Sequence, residues 1–136
     1  MIMAKKSDFN TSRSVKDLQA EYGKMPPQAV DLEEAVLGAL MLDAFSIVGD
    51  LLEPDAFYKD AHQKIFRAIH KLFLNDDPVD LLTVSEALKQ SGELEQVGGY
   101  YYLSQLTTRV ASAAHIEFHA KIIVQKYLQR KLIGVC

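Results

Sequence analysis

Pro78-Val79-Asp80, Thr83-Val84-Ser85-Glu86-Ala87-Leu88, Leu94-Glu95-Gln96-Val97-Gly98-Gly99 and Tyr102-Leu103-Ser104-Gln105-Leu106 follow one another between Pro78 and Leu106. The stretch reads as two short helices joined by a loop that ends in a glycine pair. Thr83 is placed to cap a helix start by accepting from the amide three residues on, with Glu86 reaching back in the reciprocal capping box. Val84, Ala87 and Leu88 then face inward, and Ser91-Gly92 stops the helix. Gly98-Gly99 turns the chain into the next helix, because glycine alone takes left-handed angles without strain. Leu103 and Leu106 anchor that helix.

Upstream, Pro26-Pro27 stops any helix arriving from residues 1–25. Those residues are polar, mixed in charge and without sustained periodicity, and are expected to form a flexible arm. Val30, Leu37, Leu40 and Met41, with Ala29 and Val36, mark one face of a helix that closes at Leu42-Asp43. Asp43 is expected to cap the following helix, which carries Phe45, Val48 and Leu52. Pro54 suits a helix start, where its missing amide has no intrahelical partner, and Phe57 and Tyr58 are expected core plugs. Ile65, Phe66, Ile69, Leu72 and Phe73 recur at helical spacing, with Lys64, Arg67 and Lys71 on the other face.

The last segment, about residues 113–136, carries two apolar stripes: Ile116, Ala120, Ile123 and Tyr127, then Val124, Leu128 and Leu132. Together they exceed the single face a helix needs on one core. They predict either a partner helix on each side, one from another subunit, or final turns packed deeper than the pattern suggests. Apart from Gly134, no stop signal precedes Cys136, so the sequence reads as ending in mid-helix.

The chain has 136 residues, 49% of them hydrophobic, which suits one domain with a real core. No apolar run approaches a bilayer's thickness, and no secretory signal is visible. One cysteine excludes an internal disulfide and fits a reducing cytosol. The expected setting is therefore soluble and cytoplasmic. The net charge of −3 is unevenly spread: residues 28–108 hold five Lys/Arg against fourteen Asp/Glu, a net −9. Residues 1–27 are at +2 and residues 109–136 at +4. So acidic a body is a poor surface for a phosphate backbone, where Lys and Arg supply most of the affinity.

The chain offers little catalytic chemistry. Of the seven glycines, only Gly23 precedes a lysine, and Met25 follows where a phosphate-binding loop needs Ser or Thr. The chain is therefore not expected to hydrolyse ATP. His115 and His119 have a helical zinc spacing, but no Glu stands next to His115 as in the metalloprotease pattern and no cysteine is nearby, so no metal site is expected. His62 reads as a cap or a partly buried hydrogen-bonding residue. Glu33/Glu34 and Asp76/Asp77 diverge on a helix and read as solvating charge. No histidine–acid pair serves Cys136 or a serine, so no catalytic residue is expected. Tyr100-Tyr101-Tyr102 reads as one core tyrosine with two at an interface.

Taken as an ordered series, several of these segments resemble the N-terminal domain of DnaB-type replicative DNA helicases. They are Pro26-Pro27-Gln28, Glu33-Glu34-Ala35-Val36-Leu37-Gly38, Asp55-Ala56-Phe57-Tyr58 with His62, Ile65 and Phe66, Pro78-Val79-Asp80, and Val97-Gly98-Gly99 ahead of Tyr102-Leu103. The resemblance spans about residues 26–133, with one departure at Asp31-Leu32-Glu33-Glu34, where the family more often shows Glu-Ala-Glu. It implies an all-α orthogonal bundle of about six or seven helices over residues 26–136, with a longer C-terminal arm helix cut short. It also implies a non-catalytic collar in a hexameric ring, with arm helices paired between subunits and a docking surface for primase and helicase loader. ATP, magnesium and DNA would be handled by a separate RecA-like motor domain of the parent protein. Carried onto this chain, the primase surface would draw on Tyr102, Ile116 and Ile122. Self-association would run through Ile123, Tyr127 and Leu128, on the broad girdle of the last helix. A competing reading is a small helical nucleic-acid-binding module, with the Gly98-Gly99 turn approaching phosphates at a helix N-terminus. A generic helical adaptor is a third.

Overall fold

The computed structural model describes residues 26–109 and 115–135. The expected arm over residues 1–25 lies outside them. Every regular element among the described residues is helical. Helix α1 (Val30–Ala39) continues through a π turn (Leu40–Ala44) into α2 (Phe45–Val48) and a 3-10 turn (Gly49–Leu51). A second 3-10 turn (Pro54–Ala56) leads to α3 (Asp60–Leu74), α4 (Leu81–Gln90), α5 (Gly99–Thr108) and α6 (Ile116–Val135). Helix α1 is central, packing against α3, α5 and α6, while α4 bridges α3 and α5.

The core follows the apolar periodicities. Val36 and Leu37 from α1, with Leu40 and Met41 from the π turn, meet Ile65, Phe66 and Ile69 from α3, Val84 and Leu88 from α4, and Leu103 and Leu106 from α5. Two local expectations need correction. The first helix does not close at residues 42–43. It widens into a π segment, and the short helix that follows has Ala44 as its N-cap, with no side-chain cap. Tyr58 is not a core plug: it is 38% exposed, while Phe57 beside it is fully buried. The extended backbone at Phe57, after the 3-10 turn, sends the two adjacent rings to opposite sides, one inward and the other out.

Helix α4 starts three residues earlier than a cap at Thr83 predicts. Asp80 is the N-cap, its carboxylate accepting from the Thr83 amide at 2.9 Å, while Thr83 Oγ1 accepts from the Asp80 amide at 2.9 Å. The reciprocal box is present, shifted so that Thr83 fills the role assigned to Glu86. The glycine pair behaves as expected, with φ of +113° at Gly98 and +76° at Gly99. A Cβ at Gly98 would also fall 2.7 Å from the Tyr102 Cβ, so the turn demands glycine twice over. Helix α3 ends in a left-handed residue too, but here it is Asp76, at φ +61°. The amides of Asp76 and Asp77 return to the carbonyls of Phe73 and Leu72, which closes the helix end.

The two stripes of α6 have different fates. Ile116, Ala120 and Ile123 are buried on the bundle, with Val124 and Tyr127 packed at its edge. Leu128 and Leu132 are 56% and 51% exposed, and Phe118 is 64% exposed. The core beneath the helix ends near Ile123, and the later turns project past it.

Candidate functional site

Glu33 and Glu34 are not solvating charge. Adjacent on α1, they are 1% and 8% exposed. Although their side chains leave the helix in different directions, two residues from other helices link them. Glu33 Oε1 lies 2.7 Å from His62 Nδ1, and His62 Nε2 lies 2.6 Å from Tyr102 Oη. Tyr102 Oη donates to Glu34 Oε2 at 3.0 Å. The series runs Glu33–His62–Tyr102–Glu34 and staples α1, α3 and α5 together. His62 is fully buried, and its ring lies nearly parallel to that of Tyr102, at 7°.

Each end of the series has a second task. Glu33 Oε2 accepts the Tyr58 amide at 2.7 Å, and Oε1 receives the Lys59 amide at 3.5 Å. Lys59 is the N-cap of α3 and supplies no side-chain cap of its own. A carboxylate from α1 therefore satisfies amides at the start of α3, where the helix dipole favours negative charge. Glu34 Oε1 pairs with Arg109 Nη1 at 3.1 Å, at the rim of the site. The Lys59 ammonium lies 5.2 Å from the centre of the Tyr102 ring. Burial pushes the Tyr102 phenol well above the usual tyrosine range, the bond to Glu34 and its charge add to this, and Arg109 opposes it.

A second cation ties α6 to the same region. Arg130 donates to the carbonyls of Pro27 and Ala56, each at 2.9 Å. Its guanidinium lies 5.4 Å from the Tyr58 ring centre and 5.8 Å from that of Tyr127. Burial lowers the Arg130 pKa, while Glu33 and then the two tyrosines favour its charge. Among the described residues, no buried side-chain polar atom lacks a partner. His115 and His119 have ring centres 6.3 Å apart, and no group of three metal-ligating side chains occurs among the described residues.

The residues singled out from sequence are dispersed. Tyr102 is half-buried, with its hydroxyl committed to the series above. Ile116 and Ile123 are 3% and 1% exposed and belong to the core, which leaves them no surface for a partner. They fall on the face of α6 that crosses α1, a placement that periodicity cannot assign. Ile122 and Tyr127 are half-buried, and Leu128 is exposed. Glu33, Glu34 and Arg130 escaped notice as site residues. Their partners lie 25 to 103 positions away, and no local spacing signals such pairs.

A family model for the DnaB-like helicase N-terminal domain matches residues 25–125. The chain belongs to that family. This DnaB-like N-terminal domain is 52% identical over 124 residues to a replicative DNA helicase DnaB of Rhodothermus marinus, covering 90% of this chain and 13% of the relative. It is 44% identical over 112 residues to the replicative DNA helicase DnaB of Geobacillus stearothermophilus, covering 81% of this chain and 25% of that one. The chain thus spans a quarter or less of the curated relatives it matches. The crystal structure of the N-terminal domain of DnaB helicase from Mycobacterium tuberculosis superposes with a TM-score of 0.78 at 38% identity, covering 81% of both chains. The DnaB-like assignment agrees with the all-helical architecture. Among the described residues, no helix is long and apolar enough to cross a membrane.

Proposed function

We propose that this domain is the non-catalytic collar of a hexameric, ATP-driven replicative DNA helicase. In this reading it supports ring assembly and docks primase and the helicase loader. The observation that carries it is apolar surface left over on a family-typical fold. Phe118, Leu128 and Leu132 stand exposed on α6 after the core is complete, as an arm that pairs with another subunit requires. Leu128 keeps the self-association role proposed from sequence, Tyr127 flanks it, and Leu132 and Phe118 take the place of the buried Ile123. Ile122 and the uncovered edge of Tyr102, beside exposed Tyr100 and Tyr101, are the proposed primase surface. ATP and magnesium belong to the parent's motor, since this chain contains no Gly-Lys-Ser/Thr sequence to cradle phosphates.

The test uses the full-length helicase carrying Leu128→Glu and Leu132→Glu. Charges placed in an apolar interface without partners cost several kcal/mol. Light scattering should show loss of the assembled ring, while circular dichroism keeps the helical signal. A variant that folds and assembles as the parent does removes the exposed stripe from the proposal.

A further inference from the structure

Three contacts in series join Glu33, His62, Tyr102 and Glu34. As hydrogen bonds, each needs one hydrogen. A tyrosine hydroxyl supplies one and a neutral imidazole supplies one. Two hydrogens cannot close three links. The carboxylates are poor places for the third, because donors already surround them. Glu33 receives the Tyr58 and Lys59 amides, and Glu34 faces Arg109. The remaining position is the second nitrogen of the His62 ring, which stands between the two acids in the series and is itself fully buried.

We propose that the buried series is a one-proton lock: with both His62 nitrogens protonated all three links close and α5 is seated on α1, and loss of that proton opens a link and loosens α5. The charges around the ring are consistent with this count. Helix α1 presents Glu33 and Glu34; α5 presents Tyr102 and, at its C-cap, Arg109; the turn before α3 presents Lys59; and α6 presents Arg130, whose charge Glu33 favours. On α3 itself, Asp60 and Lys64 pair with each other at 2.8 Å. The Tyr102 phenol is held protonated beyond its usual range, so it brings one hydrogen and no charge.

Once the extra proton leaves, the ring keeps its hydrogen on Nδ1, where the bond to the Glu33 carboxylate is charge-assisted and stronger than one to a phenol. The hydroxyl then has one hydrogen for two acceptors. If it donates to Nε2, Glu34 Oε2 loses its donor. If it donates to Glu34, two lone pairs face each other across the 2.6 Å between Nε2 and Oη. Either way a link to Tyr102 fails, and Tyr102 is the residue through which the series holds α5. Because the closed state binds the proton, acid closes the lock and rising pH opens it. Helix α5 also carries exposed Tyr100 and Tyr101, so the lock governs how firmly that surface is presented.

The 136-residue chain is followed by side-chain nitrogen NMR of His62 and by amide exchange of residues 99–108, between about pH 5 and 8. The expected result is two ring N–H signals at the acid end and loss of one as pH rises. At the same midpoint, α5 exchange should rise about tenfold beyond its intrinsic pH dependence, the equivalent of one net hydrogen bond. Glu34→Gln discriminates, because its carboxamide donates to Tyr102 Oη and frees the phenol to donate to Nε2. All three links then close around a neutral ring. This variant should show a single His62 N–H and flat α5 protection throughout. A single N–H in the parent chain across the range overturns the proposal. So does proton loss without a change in α5 exchange, or a Glu34→Gln variant with the parent's midpoint.

Discussion

Tyr102 concentrates more of the site than its neighbours do, since among the described residues its hydroxyl alone bridges His62 and Glu34. Tyr102→Phe deletes that oxygen while keeping the ring, leaving a buried ring nitrogen and a carboxylate oxygen each short of a partner. Urea unfolding should register a loss of about 1–3 kcal/mol. Tyr101→Phe, at a ring 72% exposed, should stay within about 0.5 kcal/mol of the parent. The pH dependence follows from the upward shift of the phenol. A group whose pKa is raised on folding contributes stability that is complete below its unfolded value, about 10 for tyrosine, and is lost as pH climbs beyond it. The parent should therefore weaken at alkaline pH more steeply than Tyr102→Phe. Equal alkaline slopes for the two proteins would contradict the shift.

Helix ends decide where the elements lie, and they differ in how much of their chemistry is local. The start of α4 is self-contained in Asp80 and Thr83. Asp80→Ala should cost about 1 kcal/mol by thermal melting, as N-cap removals do, and Glu86→Ala should cost almost nothing. Equal losses would restore Glu86 to the box. The end of α3 is a less favourable local solution, with Asp76 in the left-handed region that glycine takes freely. Asp76→Gly should raise the stability of the chain by about 0.5–1 kcal/mol, and a decrease would show that its carboxylate has a role the contacts do not reveal. The start of α3 is capped from another helix, by Glu33. The local pattern 83–86 was legible in kind but three residues off, because aspartate and threonine both cap and only the backbone course selects one.

At the scale of the whole molecule, α6 is half core and half projection. Ile123→Glu would bury a charge where exposure is 1%, and should unfold the chain, with loss of the circular dichroism signal. Leu128→Glu, at a position 56% exposed, should leave the melting temperature of the monomeric chain nearly unchanged. If both variants unfold, the later turns of α6 belong to the core and the projecting surface does not exist. Arg130 complicates the division usefully. It holds the later turns to Pro27 and Ala56 through backbone carbonyls, so the projection stays tied to the body even where apolar packing has ended.

Sequence alone determined the helical class, most of the inward faces, the Gly98-Gly99 turn and the family. Each of these rests on local periodicity, on backbone angles open to few residues, or on an ordered series of short segments. Tertiary structure alone decided which stripe of α6 is buried, that Glu33 and Glu34 are interior, and that His62 and Tyr102 join them. A charge beside another charge in sequence reads as solvated, because burying it is costly unless partners arrive from elsewhere. Here the partners come from α3, α5 and the chain around Tyr58, at separations of 25 to 68 residues. Only the packing of α1 against those elements brings them within hydrogen-bonding distance.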